Sequence, residues 1–557
     1  MSRRRAMICA AQPEAAEAGA RVLMDGGNAV DAAVAAAFTQ CVVDPMMAGI
    51  AGYGTLQVAL PERGIHTCVD FCARAPAAAR PDIWAHLPLN ETPDGYAFVV
   101  QGNVNEAGYQ SIGTPGTLAG LDHALSRYGT WSFADVLAPA LQHAREGVVV
   151  RPHMYQYGAL DRARGGMLET RERLALTATG RAVYLDAGGN FKRPGERLHN
   201  PDLAATLEHL TRAGAADFYR GEIAGRIADD MRAHGGLLTL ADLNAYAVSE
   251  AAPIWGDYRG WRVAGFPPPA GGLTLIQALQ VLAQFDVAAL GHNSAAYLEL
   301  LAQTLKWVTI DKDTLIGDPE FVDVPVAHLL SREHAAAIAA RIRARRPAEV
   351  TRLAPGIAAE PRDTTQVCVI DADGNAATLT HSLGTNSGII TDGLGVLYNG
   401  LLSGFDPRPG RAASIGPGKR RTSSQCPLLL FRDGQVQAAL GAPGGTAIPS
   451  ALTQTVMNLV DFGMSAFEAV AAPRISVTGN AIDVSNRIPR YVTGALEQQG
   501  HAINRSHQSY AFAAPHVVSR MTGALQGGAD PQRDGVALAV TQPAGRGHGL
   551  DGTGCGK

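Results

Sequence analysis

Two runs of alternating residues, each folded about an Asp-Gly pair, constrain this chain more than any other feature. TTQVCVIDADGNAATLTHSLG starts at Thr364 and turns at Asp373-Gly374, and PLLLFRDGQVQAALG starts at Pro427 and turns at Asp433-Gly434. Side chains on a strand point alternately to its two faces, and Asp-Gly tolerates the positive φ of a tight hairpin turn, so both runs predict hairpins. Upstream the period is helical. Residues 14–24 end at Asp25-Gly26-Gly27, and Asn28 is placed to cap a helix over 29–43 that Asp44-Pro45 stops. A glycine-studded turn at 49–54 leads into the strand TLQVAL, and helical patterns return at 118–129, 239–246 and 295–313. Pro267-Pro268-Pro269 and Gly271-Gly272 mark a rigid turn before another helix at 273–285. Helices early, strands late and more helix after Pro449 predict a layered α+β body. Between the halves, 343–362 is rich in Pro, Gly and Arg and reads as an exposed, mobile connector.

Composition narrows the function. At 557 residues, 46% hydrophobic and 18% charged, the chain can bury a substantial core, and its net charge of -4 gives no electrostatic reason to expect a nucleic-acid or membrane partner. No apolar run reaches membrane-spanning length, since Asp31 interrupts the alanine-rich stretch 29–43. The basic opening MSRRRAMICAAQPE has too few apolar residues for a secretory core, which predicts a cytoplasmic protein. Seven scattered cysteines show neither a disulfide framework nor zinc spacing. Gly416-Pro417-Gly418-Lys419 lacks the first glycine of a phosphate loop, because Ala413 stands there, and His501 and His507 have no carboxylate pair beside them. No metal and no cofactor is expected.

Asp363-Thr364-Thr365 sits where the connector meets a strand. A threonine hydroxyl has no strong base of its own, but an N-terminal threonine carries one in its α-amine, with a pKa near ~8. Freeing that amine requires a cut before Thr364, in the segment best able to accommodate one. As plain β-propensity, Thr-Thr at a strand start is ordinary, so its surroundings decide.

Those surroundings resemble the gamma-glutamyltranspeptidase family over nearly the whole chain. DTTQVCVIDADGNAATLT resembles the start of that family's small subunit, and GGNAVDAAVAAAFTQCVVDPMMAGIAGYG its amino-terminal signature. FCARAP, GTPGTLAGLDHALSRYG, GGLLTLADLNAY, PPPAGGLTLIQAL, GDPEFVDVP, RTSSQCP and GAPGGTAI follow in family order. The resemblance implies the four-layer αββα sandwich of N-terminal-nucleophile hydrolases. It also implies a precursor cleaved at Asp363–Thr364 into 1–363 and 364–557, which remain one intertwined domain as a heterodimer, with dimers of that unit open. It assigns Thr364 as nucleophile, with Thr365 as runner-up one register away, Ser382 as the hydroxyl that hydrogen-bonds the nucleophile, and Gly444 and Gly445 as the oxyanion-hole donors. Arg74, Ser423 and Ser424 are implied to clamp the carboxylate of a small-molecule amide substrate.

The chain also departs from the family. Three positions that in glutamyl-binding relatives hold the substrate α-ammonium align here with Gly384, Leu401 and Gly404, none of which offers a side-chain acceptor. Losing even two such contacts costs about 3–6 kcal/mol, on the order of a hundredfold or more in selectivity. The expected acyl group therefore bears a carboxylate and no α-amine, as a glutaryl- or oxamate-type acid does. Asp406, two residues late, is the alternative acceptor, in which case the chain is a gamma-glutamyl hydrolase or transferase acting on glutathione-like substrates. A processed but inactive carboxylate-binding protein is the reading from another class. The stretch from Phe405 to Thr422 is short and basic (Arg408, Arg411, Lys419, Arg420, Arg421), either a truncated lid that favours hydrolysis over transfer or a solvated loop.

Overall fold

A computed structural model describes residues 4–159, 166–353, 364–506 and 512–543. Asp363, the connector from 354 to 363, His507 and Cys555 lie outside the described residues.

Two antiparallel sheets are stacked face to face. The first has seven strands in the order Val536–Gln542, Arg4–Ala10, Thr365–Ile370, Ala376–Ser382, Tyr53–Leu60, Ile65–Phe71 and Ser249–Ala251. The second has six, in the order Gln526–Ala529, His516–Ser519, Gln435–Gly441, Leu428–Arg432, Trp261–Gly265 and Ile254–Tyr258. Each sheet holds strands from both sides of residue 364, interleaved in the first and adjoining in the second.

The alternation in the sequence explains the layers. Val367 and Val369 join the helices Pro13–Met24 and Ala29–Val43 in one core. Their neighbours Cys368 and Ile370 face the other way and meet Leu429 and Ala439 between the sheets. On the second sheet, Leu428, Leu430 and Leu440 turn outward onto the helices Gly272–Leu282, Ala295–Leu315 and Ile448–Val460. Helix, sheet, sheet and helix make the αββα sandwich, with the central strands Thr365–Ile370 and Ala376–Ser382 buried on both faces.

Asn28 caps Ala29–Val43 as expected, its side chain accepting from Val30 and Asp31 while Asp31 accepts from the Asn28 N–H. The second hairpin is the tight turn predicted, with Asp433 and Gly434 at φ 52° and 75° between Arg432 and Gln435. The first is longer. Ile370 pairs with Ala376 across residues 371–375, because the Asp371 carboxylate accepts from the N–H groups of Asp373 and Asn375 and organises a wider loop. The opening residues 4–10, passed over as a basic start, form a strand beside Thr365–Ile370. Among the described residues, no helix is long and apolar enough to cross a membrane.

Candidate active site

Thr364 immediately precedes its strand, and Ser382 ends the neighbouring one, where Thr365 pairs with His381. This pairing brings the two hydroxyls together, the Thr364 Oγ1 donating to Ser382 Oγ at 3.0 Å. The Gly384 N–H also donates to Ser382 Oγ at 2.8 Å, which fixes that side chain. Both residues are buried. Thr364 has φ 92°, a conformation that costs a β-branched residue strain of order 1–3 kcal/mol. An Arg533 N–H donates to the Thr364 carbonyl at 3.2 Å and holds it in place.

Thr365 points elsewhere. Its hydroxyl donates to Gln12 Oε1 at 3.1 Å, and Gln12 in turn accepts from Gln40, so the side chain belongs to a buried polar network under the helices. Within that network His381 is held near pKa 3 by burial and stays neutral at working pH.

Gly444 and Gly445 follow the strand Gln435–Gly441 and lead into the helix Ile448–Val460. Their φ values of 140° and 54° are ones side-chain-bearing residues rarely take, and a Cβ on Gly444 would collide with Ala513. Gly445 faces Tyr96, since a Cβ there would lie 3.2 Å from the ring. A Cβ on Gly384 would lie 3.5 Å from the Tyr96 hydroxyl. One tyrosine therefore spans the gap between the Ser382 loop and the glycine turn. Beyond the turn, the Thr446 hydroxyl donates to the buried Asp94, whose pKa desolvation raises.

Tyr96 also borders a cavity of about 440 Å³, which Gly404, Arg421, Ser424 and Thr446 help to line. The Arg421 guanidinium lies over the Tyr96 ring, 5.0 Å from its centre. It rests directly on Gly404, where a Cβ would come within 2.5 Å of the guanidinium atoms. Leu401, at another position expected to face the amine, is fully buried in an apolar cluster with Tyr53, Leu402 and Phe405. Asp406 accepts from Arg408 at 2.8 and 2.6 Å and has Arg411 at 3.5 Å, so its carboxylate is already engaged.

The implied carboxylate clamp is assembled only in part. Ser424 lines the cavity, while Ser423 is buried with its hydroxyl accepting from the Gln425 N–H. Arg74 stands apart. Its two guanidinium N–H groups donate to the two oxygens of Glu320 at 2.9 and 3.1 Å, and one also reaches Gly418 O at 3.1 Å. That pairing holds the Glu320 carboxyl below its ordinary range.

The basic stretch is solvated only in part, with Arg411 exposed and Arg408 half-buried. Lys419, Arg420 and Arg421 are all buried. Lys419 donates to Ala412 O and Ser414 O, and Arg420 forks onto Asp318 while also pairing with Asp70. Burial works against the charge on Asp318, but the hydrogen bonds from Arg420 outweigh it and depress its pKa.

Sequence reasoning missed Tyr96 and Arg533 and saw Arg421 only as part of a basic run. The pairing of Arg420 with Asp70 and Asp318 spans up to 350 positions of chain, which no local pattern reveals.

The αββα sandwich, with one hydroxyl at the head of a central strand and a second tied to it, is that of the N-terminal-nucleophile hydrolases. The sequence model for "Gamma-glutamyltranspeptidase" matches residues 15–540, and the chain belongs to that family of enzymes. It is 36% identical over 544 residues to an Acylase ACY 1 proenzyme of Pseudomonas sp. (strain V22), covering 96% of this chain and 94% of the relative. It is 34% identical over 487 residues to the Glutathione hydrolase proenzyme of Escherichia coli (strain K12), covering 84% and 80%. Among solved structures, the cephalosporin acylase from Bacillus halodurans superposes with a TM-score of 0.83 at 26% identity over 97% of this chain and 96% of that one. Helicobacter pylori gamma-glutamyltranspeptidase gives 0.54 at 32% identity over 61% and 91%.

Proposed function

We propose that the chain cuts itself between Asp363 and Thr364 and then hydrolyses amides whose acyl group carries a carboxylate and no α-amine, of glutaryl or oxamate type. In the precursor, the Thr364 hydroxyl attacks the carbonyl of residue 363. The amide becomes an ester, water cleaves that ester, and the threonine is left with a free amine. Strain at a β-branched residue with φ 92° raises the ground state and is relieved by the cut. Residues 1–363 and 364–557 stay together because their strands share both sheets.

In the mature enzyme the α-amine of Thr364 takes the hydroxyl proton as Oγ1 attacks the substrate carbonyl. Ser382, 3.0 Å away, orients that hydroxyl. The N–H groups of the Gly444-Gly445 turn receive the developing oxyanion, each such donor being typically worth ~10²–10³ in rate. The leaving amine departs with the proton, and water releases the acid by the reverse sequence.

The observation that carries the acyl preference is the state of two of the positions expected to face the amine and of the alternative acceptor Asp406. Leu401 is sunk in an apolar cluster, Gly404 is covered by a guanidinium, and Asp406 is held by Arg408 and Arg411. An α-ammonium placed there would lose its water without gaining a partner.

The test compares glutaryl and gamma-glutamyl 4-nitroanilides, which differ only by the ammonium. The glutaryl compound is expected to lead in kcat/KM by on the order of a hundredfold. Equal or better turnover of the glutamyl compound would overturn the acyl assignment.

A further inference from the structure

We infer that a second cavity, built around Lys306 on the outer helical layer, binds a small organic anion with a phosphate or carboxylate head and an apolar body. This cavity has a volume of about 760 Å³, within the range of ligand pockets. It lies between the helix Ala295–Leu315, the end of the helix Arg332–Arg343, residues 345–349 and residues 499–502. None of its lining residues is shared with the cavity beside Tyr96. Ala296, Glu299, Leu300, Gln303 and Lys306 recur at spacings of three and four, so one face of the helix forms the wall. Leu298, Leu301 and Leu305 hold the other face in the core of the second sheet.

Lys306 is the feature that asks for a ligand. Lysine is almost never buried unless it is paired. Here it is 7% exposed, and among the described residues no hydrogen bond or ion pair holds its ammonium. Burial pushes its pKa down, and the exposed Glu349 only partly counters this. Three residues along the helix, Gln303 Oε1 is also buried without a partner, and its amide can turn its NH2 group toward an anion. Arg345 and Arg346 line the cavity from exposed positions. Arg343 lines it too but is engaged, donating to Gln284 O at 2.6 Å and lying over the Phe285 ring. These four cations face two carboxylates, Glu299 and Glu349. Burial, and then Lys306, lowers the pKa of His501, which therefore brings a ring N–H to the wall. Phe285, Leu290, Leu300 and Ile342 supply apolar surface. An anion here would give the desolvated ammonium a charge-assisted hydrogen bond while its body covers that surface. The competing reading is a lysine whose stem packs on the wall while water alone meets its head.

The experiment titrates phenyl phosphate, benzoate and neutral benzyl alcohol into the full protein by calorimetry, in wild type and in Lys306→Met. Methionine keeps an unbranched stem and removes the charge. At least one anion should bind wild type about tenfold or more tightly than benzyl alcohol, and Lys306→Met should weaken that anion by about tenfold. The tighter of the two identifies the head as phosphate or carboxylate. Pyridoxal phosphate then locates the site on wild type. A lysine amine adds to its aldehyde with loss of water, and borohydride reduces the imine to a stable amine that peptide mapping finds. Among Lys192, Lys306, Lys312, Lys419 and Lys557, the label should fall first on Lys306. An excess of the tighter anion should suppress it there by about tenfold. Anion binding unchanged by Lys306→Met would overturn the site. So would labelling first at another lysine, or no anion binding more tightly than benzyl alcohol. Should Lys306→Met fail to fold, the position of the label on wild type decides.

Discussion

The floor of this site and its acyl wall are built from different material. Thr364 and Ser382 sit at the ends of two paired strands, buried on both faces between helix and sheet layers. The wall is made of segments without such pairing: Tyr96 in a turn, Gly404 closing a short 3-10 turn, and Arg421 in an extended stretch. A strand fixes where every second side chain points, so two hydroxyls can be held 3.0 Å apart by register alone. A loop sets each direction separately, and one substitution there can replace a neutral or acidic contact with a guanidinium. Reaction chemistry and acyl choice can therefore change independently in one fold.

The largest expected effect breaks the floor. Thr364→Ala should leave one uncut chain of 557 residues with no measurable amidase activity, whereas wild type should give fragments of 363 and 194 residues by subtraction at residue 364. Mass spectrometry reads both outcomes, and a small fragment starting anywhere but Thr364 would remove it as the nucleophile. Ser382→Ala should process slowly and lose roughly 10- to 100-fold in kcat, the share of one hydrogen bond to a reacting group.

The next effect sharpens the wall. Installing acceptors through Leu401→Gln and Gly404→Asp should not by itself bring gamma-glutamyl turnover, because a side chain at 404 would run into the Arg421 guanidinium. The new aspartate would pair with Arg421 instead of the substrate. Adding Arg421→Ser should open the position and raise glutamyl kcat/KM by about tenfold over the double variant. A double variant that already favours glutamyl amides would show that Arg421 does not control this wall.

A third effect concerns what lies under the glycine turn. Asp483 pairs in register with Asn504, whose amide donates to it at 2.6 Å, and burial first, with Asp94 adding to it, raises its pKa to about 7. A carboxyl whose folded pKa is above its unfolded value stabilises the fold fully below about pH 4 and loses that contribution as pH rises through about 7. Asp483→Asn keeps the acceptor for Asn504 and removes the charge. It should raise thermal stability at pH 8, by at most about 4 kcal/mol on linkage grounds, and match wild type near pH 4. Equal curves at both pH values would mean that Asp483 titrates normally.

The same division marks what was legible in the sequence. The strand runs after Thr364 and Pro427 announced both central hairpins, and the Asn28 cap placed its helix to the residue. The strand 4–10 was lost because seven residues with two arginines at one end carry no alternation, and its strand character comes from neighbours at 367–370 and 536–542. Thr364 could be found from its place at the head of a strand run, whereas Ser382 was reached only through the family resemblance. The basic run 419–421 could be seen but not interpreted, since its three cations go to three different places: backbone carbonyls, Asp318 with Asp70, and Tyr96. Adjacent residues in an extended segment diverge, and the partners that fix their roles lie far away in the chain. The pairing of Arg74 with Glu320 was unreadable for the same reason, because the two lie 246 positions apart.

Arg74 gives the smallest predicted effect. Its pair with Glu320 is partly exposed, at 23% and 48% of the two side chains, and exposed pairs contribute at most about 1 kcal/mol. Backbone bridges from Arg74 to Thr114 and Arg420 do not depend on the side chain, so Arg74→Ala should keep the local chain path. KM for the glutaryl anilide should then move by no more than about threefold. Glu320→Gln separates the two possible reasons for a larger change. It frees the Arg74 fork without removing it, so a true clamp at Arg74 would bind the carboxylate more tightly in Glu320→Gln and far more weakly in Arg74→Ala. Near-equal KM values in both variants would take the carboxylate away from Arg74. Opposite shifts in the two variants would return it to Arg74, with Glu320 acting as a stand-in that substrate displaces.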